Sequence, residues 1–133
     1  MAFVLDASIA AVWAFADEVS SLADLALERL HTETAYVPHL WWYEIRNILV
    51  SNERTRRISL AESVFFLQML KQYPIRIDWS ENEELNLQLA RQFRLSFYDA
   101  AYLAVAKRNR LQLVTLDSAL IKAAPICGVS LLA

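Results

Sequence analysis

Glycine is almost missing from this chain: one residue in 133, Gly128. At the usual ~7%, roughly nine would be present. The shortage excludes several function classes. A Walker A phosphate loop needs two glycines, a dinucleotide fingerprint three and a nucleophile elbow two, and none of these can be written here. Phosphate, if the protein handles it, is not held in a glycine-rich cradle. Cysteine is equally scarce: Cys127 stands alone, which excludes a disulfide framework and a thiolate zinc site and points to a reducing compartment. The two histidines, His31 and His39, do not make a His-rich metal site and are read as surface or interface residues. Basic charge is not in excess, with 13 Lys and Arg against 15 Asp and Glu, net −2, so bulk electrostatics do not announce a nucleic-acid binder. No uncharged run approaches the ~18 residues of a membrane span. The opening MAFVLD has no basic region and meets Asp6 too early for a signal peptide. These absences predict a cytoplasmic protein with no membrane association.

What is abundant is apolar side chain, 56% of the residues. A length of 133 suits one domain spanning residues 1–133. Apolar surplus on a domain of this size commonly goes into a partner interface. Short apolar runs alternate with longer helical patterns. Phe3 to Leu5, Ala35 to Val37, Ile75 to Trp79, Leu111 to Thr115 and Val129 to Leu132 read as strands. Helices are expected over 7–16, about 20–31, from Trp41, from Ser59 with Glu62 as a capping box, from Ser80 with an acid-rich first turn, from Ser96 to about Asn109, and after Asp117. Pro38, Pro74 and Pro125 fall at element boundaries. Strands separated by helices predict parallel βαβ units: an α/β fold, a three-layer α/β/α sandwich on a central parallel sheet of four to five strands. In such sheets ligands bind at the carboxyl ends of the strands.

Acidic residues collect at those ends. Asp6 follows the first strand and Asp117 the Leu111–Thr115 strand. Glu44 lies early in the helix after the second strand, and Asp99 in the first turn of the helix opened by Ser96. Each has a structural reading as well: Asp6 and Asp117 as N-caps, Asp99 as the end of a Ser-x-x-Asp capping box, Glu44 as a favoured acid near a helix N-terminus. Four carboxylates on one sheet edge weaken those separate readings. Asp99 leads into the apolar stretch Ala100 to Ala106, where burial and like charges favour protonation unless a cation is present. Carboxylates and water suit Mg²⁺ and Mn²⁺, so metal would hold phosphate where glycine does not. Ser8, Asn47, Thr115 and Ser118 stand close in sequence to these acids and fit groups that orient carboxylates and waters.

Four segments together resemble the PIN-domain ribonucleases, specifically the VapC-type toxins of toxin–antitoxin pairs. They are Val4-Leu5-Asp6-Ala7-Ser8, the Trp42–Leu49 helix with Glu44 and Asn47, Tyr98-Asp99-Ala100-Ala101-Tyr102 through Ala106, and Leu113-Val114-Thr115-Leu116-Asp117. Their order and spacing cover essentially the whole chain. The resemblance implies a PIN-like fold and a Mg²⁺- or Mn²⁺-dependent endoribonuclease with one or two ions per site. It implies Asp6, Glu44, Asp99 and Asp117 as the catalytic and metal-binding acids, Asp117 being the most variable. RNA is the implied substrate, cleavage leaves a 5′-phosphate, and a VapB-type antitoxin and a second copy in a homodimer are the implied partners. A catalytically inactive PIN-like protein–protein interaction module is the alternative.

Local charge differs from the net value. Residues 46–57 hold Arg46, Arg54, Arg56 and Arg57 against Glu53, and residues 91–110 hold Arg91, Arg94, Lys107, Arg108 and Arg110 against Asp99. These cations are candidates for RNA phosphate or for the antitoxin, or are solvated helix ends. Trp41 and Trp42 flank Glu44 and either stack bases or fill core. Trp13, Phe15, Phe65 and Phe66 suit a dimer or antitoxin groove. Two other folds with a strand-end aspartate fit poorly. A haloacid-dehalogenase-like phosphatase needs a second Asp where Ser8 stands, and a phospho-receiver needs a lysine after the last long strand, whereas Lys122 lies within the short final helix.

Overall fold

The computed structural model describes residues 1–133. Eleven elements follow one another: β1 (Ala2–Leu5), α1 (Ala7–Ala14), α2 (Ser21–Arg29), β2 (Thr34–Pro38), α3 (Trp41–Arg54), α4 (Leu60–Leu70), β3 (Ile75–Asp78), α5 (Glu83–Phe93), α6 (Phe97–Asn109), β4 (Gln112–Val114) and α7 (Ser118–Ile126). The strands form one all-parallel sheet in the order β3-β2-β1-β4. Phe3 registers with Ala35 on one side and Gln112 on the other. This is the three-layer α/β/α arrangement expected from strands joined by helical crossovers.

The chain order explains where a site belongs. From β1 the sheet grows through β2 to β3 in one direction, then returns to place β4 on the other flank of β1. That reversal opens a crevice beyond the carboxyl ends of β1 and β4. The Asp6 amide donates to the Val114 carbonyl at 3.1 Å, so strand pairing continues to the rim of that crevice. Helix α6 lies under it. Ala100 to Ala106 are all buried, which accounts for an apolar run without an amphipathic stripe. Trp41, Phe3, Leu5 and Leu103 are among the largest fully buried side chains.

Glycine scarcity shows in the turns. Helices commonly end on a glycine in the left-handed region. Here Arg94 and Arg110, at φ +55°, cap α5 and α6, and Arg56 takes φ +59° after α3. Gly128, at φ +83°, covers the remaining left-handed position.

Several expectations are corrected. Residues 129–132 add no full strand: only Leu131 bridges Leu113, so the sheet has four strands. Helix α5 is capped by the Asn82 side chain, which accepts from the Leu85 amide, rather than by Ser80. The Ser80 amide instead donates to Asp78. Helix α1 stops at Ala14. Pro125 lies inside the last turn of α7 rather than at its boundary. The Ser59–Glu62 capping box forms with both of its hydrogen bonds.

Candidate active site

Asp6 is the most constrained acid. It sits at the N-cap position of α1, yet its side chain accepts no capping hydrogen bond; the carboxylate is turned to other partners. Ser8 Oγ and Thr115 Oγ1 both donate to Oδ2 at 2.6 Å, leaving Oδ1 without a hydroxyl donor. Each hydroxyl also accepts a backbone amide, Leu116 N–H on Ser8 and Asp117 N–H on Thr115, both at 3.0 Å. The β4–α7 turn is thus tied to the β1–α1 turn through one carboxylate oxygen. Asp6 is 5% exposed. Burial raises its pKa above the ordinary carboxylate value; the two hydroxyls and the Ala7 amide oppose this, and Asp117 adds to it.

The other acids come from three further elements. Glu44 accepts from the hydroxyl of Tyr102 on α6. Its pKa is raised by burial, against that hydrogen bond, and further by the charges of Asp6 and Asp99. Asp99 is raised by burial, then by Asp117 and Asp6, with Ser96 opposing. Ser96 caps α6 by accepting the Asp99 amide at 3.0 Å, but the return bond of a capping box, from the Asp99 carboxylate to the Ser96 amide, is not formed. Asp117 does act as an N-cap, accepting the Leu120 amide at 3.0 Å through Oδ1, while its charge acts on Asp6 and Asp99. Tyr102 is held protonated, its pKa driven far upward by burial and by the neighbouring Asp6 and Glu44. The sequence reading gave this residue no role; its one signal is a hydroxyl in a helix segment otherwise apolar and buried.

No arginine or lysine pairs with these four acids. They repel one another at the edge of a low-dielectric interior, the environment that a divalent cation relieves. The donor set is all oxygen, which fits Mg²⁺ or Mn²⁺. As placed, however, no three acidic, histidine or cysteine side chains are grouped closely enough to grip one ion. The fit is one of donor chemistry and position rather than of a preformed cage.

The remaining candidates divide. Ser8 and Thr115 join the site directly. Asn47 and Ser118 are exposed and share no hydrogen bond with the acids. Arg46, two residues from Glu44, donates to the Trp42 carbonyl and lies 4.9 Å from the Tyr43 ring centroid. Arg54 begins the far end of α3, ten residues or about 15 Å along the helix from Glu44, with Arg56 and Arg57 just beyond it. Arg57 is engaged by Asp17 at 3.0 Å and Glu18 at 2.7 Å, and its guanidinium covers the Phe15 ring at 4.0 Å. Lys107 donates to the Cys127 carbonyl at 2.7 Å, eight residues or about 12 Å along α6 from Asp99. Trp41 is core, 0% exposed, with Trp42 packed edge-on against it. Phe15 and Phe66 are core as well, while Phe65 is exposed and forms a groove with Trp13 and Met69.

A parallel α/β protein with unpaired carboxylates at its topological switch point is therefore defined by fold and geometry. The PIN domain family model matches residues 3–125, and the chain belongs to that family. Among solved structures it is similar to PAE2754 from Pyrobaculum aerophilum, with a TM-score of 0.71 and 26% identity over 92% of this chain and 87% of that one. It is also similar to a toxin–antitoxin complex from Klebsiella pneumoniae (TM-score 0.60, 20% identity, 87% of each chain). A third likeness is to FitAcB from Neisseria gonorrhoeae (TM-score 0.54, 16% identity, 100% of this chain and 97% of that one). The last two share the fold. No curated protein matches the chain.

Proposed function

We propose that residues 1–133 form a single catalytic domain, a Mg²⁺- or Mn²⁺-dependent endoribonuclease that acts as the toxin of a type II toxin–antitoxin pair in the cytoplasm. The observation that carries this reading is that Asp6 and the Asp117 turn are joined through the Thr115 hydroxyl, while Asp6, Glu44, Asp99 and Asp117, from four separate elements, act on one another's charge with no cation of the chain paired to them. Membership of the PIN domain family agrees with it, and so does the fold shared with a toxin–antitoxin complex. No helix is long and apolar enough to cross a membrane.

In this reading the four acids hold one or two ions. A bound ion lowers the pKa of a coordinated water and offsets charge on the phosphoryl oxygens. The chain's own contribution is placement. Ser8 and Thr115 favour the ionised form of Asp6 against its burial and keep Oδ1 directed away from their own contact. Tyr102 holds Glu44 at the rim. The N-terminus of α6 brings a positive dipole end to the side where a phosphodiester would lie. A water oxygen would form the new bond to phosphorus as the P–O3′ bond breaks; the 3′ oxygen leaves as a hydroxyl, taking a proton from solvent, and the product keeps a 5′-phosphate. Arg46, on the same helix as Glu44 but turned to the Trp42 carbonyl and the Tyr43 ring, and the more distant Arg54 and Arg56 would meet the flanking strand or an antitoxin tail. Exposed Leu60, Val64 and Phe65 on α4 suit a cognate VapB-type antitoxin or the second copy of a homodimer.

The test is cleavage of end-labelled RNA by antitoxin-free protein with Mn²⁺, compared with Asp99→Asn. Cleavage by the wild type that is lost in the variant supports the reading. No cleavage of any RNA by the wild type turns the choice to an inactive PIN-like interaction module.

A further inference from the structure

Helix α6 presents two sides at the sheet edge. Asp99 and Tyr102 serve the acids. Tyr98, Ala101 and Arg108 instead wall a cleft of about 100 Å³, closed by His39 from the turn after β2 and by Glu81 and Asn86. Asn86 is 3% exposed, and its Oδ1 has no hydrogen-bond partner. Buried amide groups are nearly always paired, so an orphaned acceptor lining a cleft points to a donor supplied by a ligand. Glu81 adds a second acceptor. Asp78, also on the wall, is already committed to Arg108 at 2.9 Å and Asn109 at 2.8 Å.

Aromatic rings stand beside these acceptors. His39 stacks on Trp79 with centroids 5.9 Å apart and planes at 12°. Trp79 is 73% exposed and Tyr98 64%. Exposed flat rings next to this cleft make a platform on which any base can stack. Tyr98 and Asp99 both belong to the first turn of α6, so one RNA strand crossing that turn meets the acids on one side and the cleft on the other.

We propose that this cleft is a nucleobase subsite that takes a base next to the scissile phosphate and prefers one bearing an exocyclic amine over uracil. The proposal rests on the ribonuclease reading above. The amino groups of adenine and cytosine are donors that complete Asn86 Oδ1; uracil turns the acceptor O4 toward the same acceptors.

The experiment measures binding apart from cleavage. Wild-type protein with Ca²⁺, which takes the same oxygen donors as Mg²⁺, is titrated by fluorescence anisotropy with end-labelled hexauridylate. The same strand is then used with one adenosine, cytidine or abasic residue placed at each position in turn. At one position, adenosine or cytidine should tighten binding about tenfold over uridine, and the abasic residue should weaken it by a similar factor. Adding Asn86→Leu, which keeps the shape and removes the amide, should erase the difference between adenosine and uridine. Adding Trp79→Ala, at an exposed position that folding tolerates, should erase the abasic loss. Binding with no base discrimination at any position, or discrimination unchanged in both variants, overturns the subsite while leaving the ribonuclease reading intact. No binding of any strand overturns both.

Discussion

Asp6 and Asp78 lie at the carboxyl ends of parallel strands, β1 and β3, on the same edge of one sheet, yet the chain treats them in opposite ways. Burial works to raise the pKa of Asp78, but Asn109, the Ser80 amide and Arg108 outweigh it and hold the carboxylate below its ordinary value. Asp6 receives two hydroxyl donors, and burial still prevails. Its neighbours Glu44 and Asp99 are shifted in the same direction. The difference lies in donors and burial together: Asn109, the Ser80 amide and the Arg108 cation complete the β3 acid, whereas burial dominates at Asp6 and no cation of the chain pairs with the β1 group. A strand-end acid is structural where the chain supplies its counter-charge. Where the chain withholds it, the acids stand ready for an external one.

The largest effect expected from this contrast is on chemistry. Asp99→Asn should lower Mn²⁺-dependent RNA cleavage by at least ~10²-fold, read from initial rates on a labelled strand, because it removes one donor of a set that acts as a unit. Thermal unfolding of the same variant without divalent metal should show equal or higher stability, since a repelling charge is gone. A clear loss of stability would place Asp99 with the structural acids. Next in size, Thr115→Val removes one hydroxyl from Asp6 Oδ2 and keeps the shape of the side chain. Mn²⁺ affinity should fall about 10- to 100-fold, as for other outer partners of metal-ligating groups, measured by calorimetric titration.

The β3 acid should answer differently. Asp78→Asn should cost about 1–2 kcal/mol of folding stability in denaturant titration, because Arg108 loses its charge partner. The loss stays modest because the Arg108 side chain keeps 23% of its surface in solvent. The two groups also differ in the sign of their pH dependence. Raised pKa values in Asp6, Glu44 and Asp99 mean that their contribution to stability is complete below the ordinary carboxylate range and is lost as pH rises through the raised values. The depressed pKa of Asp78 means that its contribution is present above the ordinary value and is lost as pH falls through the depressed one. Stabilisation of the wild type by Mn²⁺ should therefore grow as pH rises above the ordinary carboxylate range, as the acids ionise and metal competes with fewer protons. A melting shift that shrinks as pH rises would contradict the assignment.

Much of this contrast was legible in the sequence. Strand-end positions for Asp6 and Asp117 follow from apolar runs stopping at an acid, and the Ser59–Glu62 box follows from spacing alone. The pairing of Asp78 with Arg108 was not legible, because thirty residues and a change of layer separate them. Arg57 counted as free positive charge until the fold brought Asp17 and Glu18 to it. Tyr102 and Asn86 were hidden for a different reason: polar atoms inside helices reveal a partner, or the lack of one, only in three dimensions. The run 129–132 has a strand's composition but reaches the sheet at one residue, Leu131, after Gly128 redirects the chain. Arginine in left-handed caps at 94 and 110 runs against local preference, and no sequence pattern announces it.

The most direct measurement is a calorimetric titration of Mn²⁺ at neutral pH into the wild type, Asp78→Asn and Asp99→Asn. Saturable binding is expected in the first two, with similar affinity, and loss of binding in Asp99→Asn. No saturable binding in the wild type, or equal loss in both variants, would contradict it.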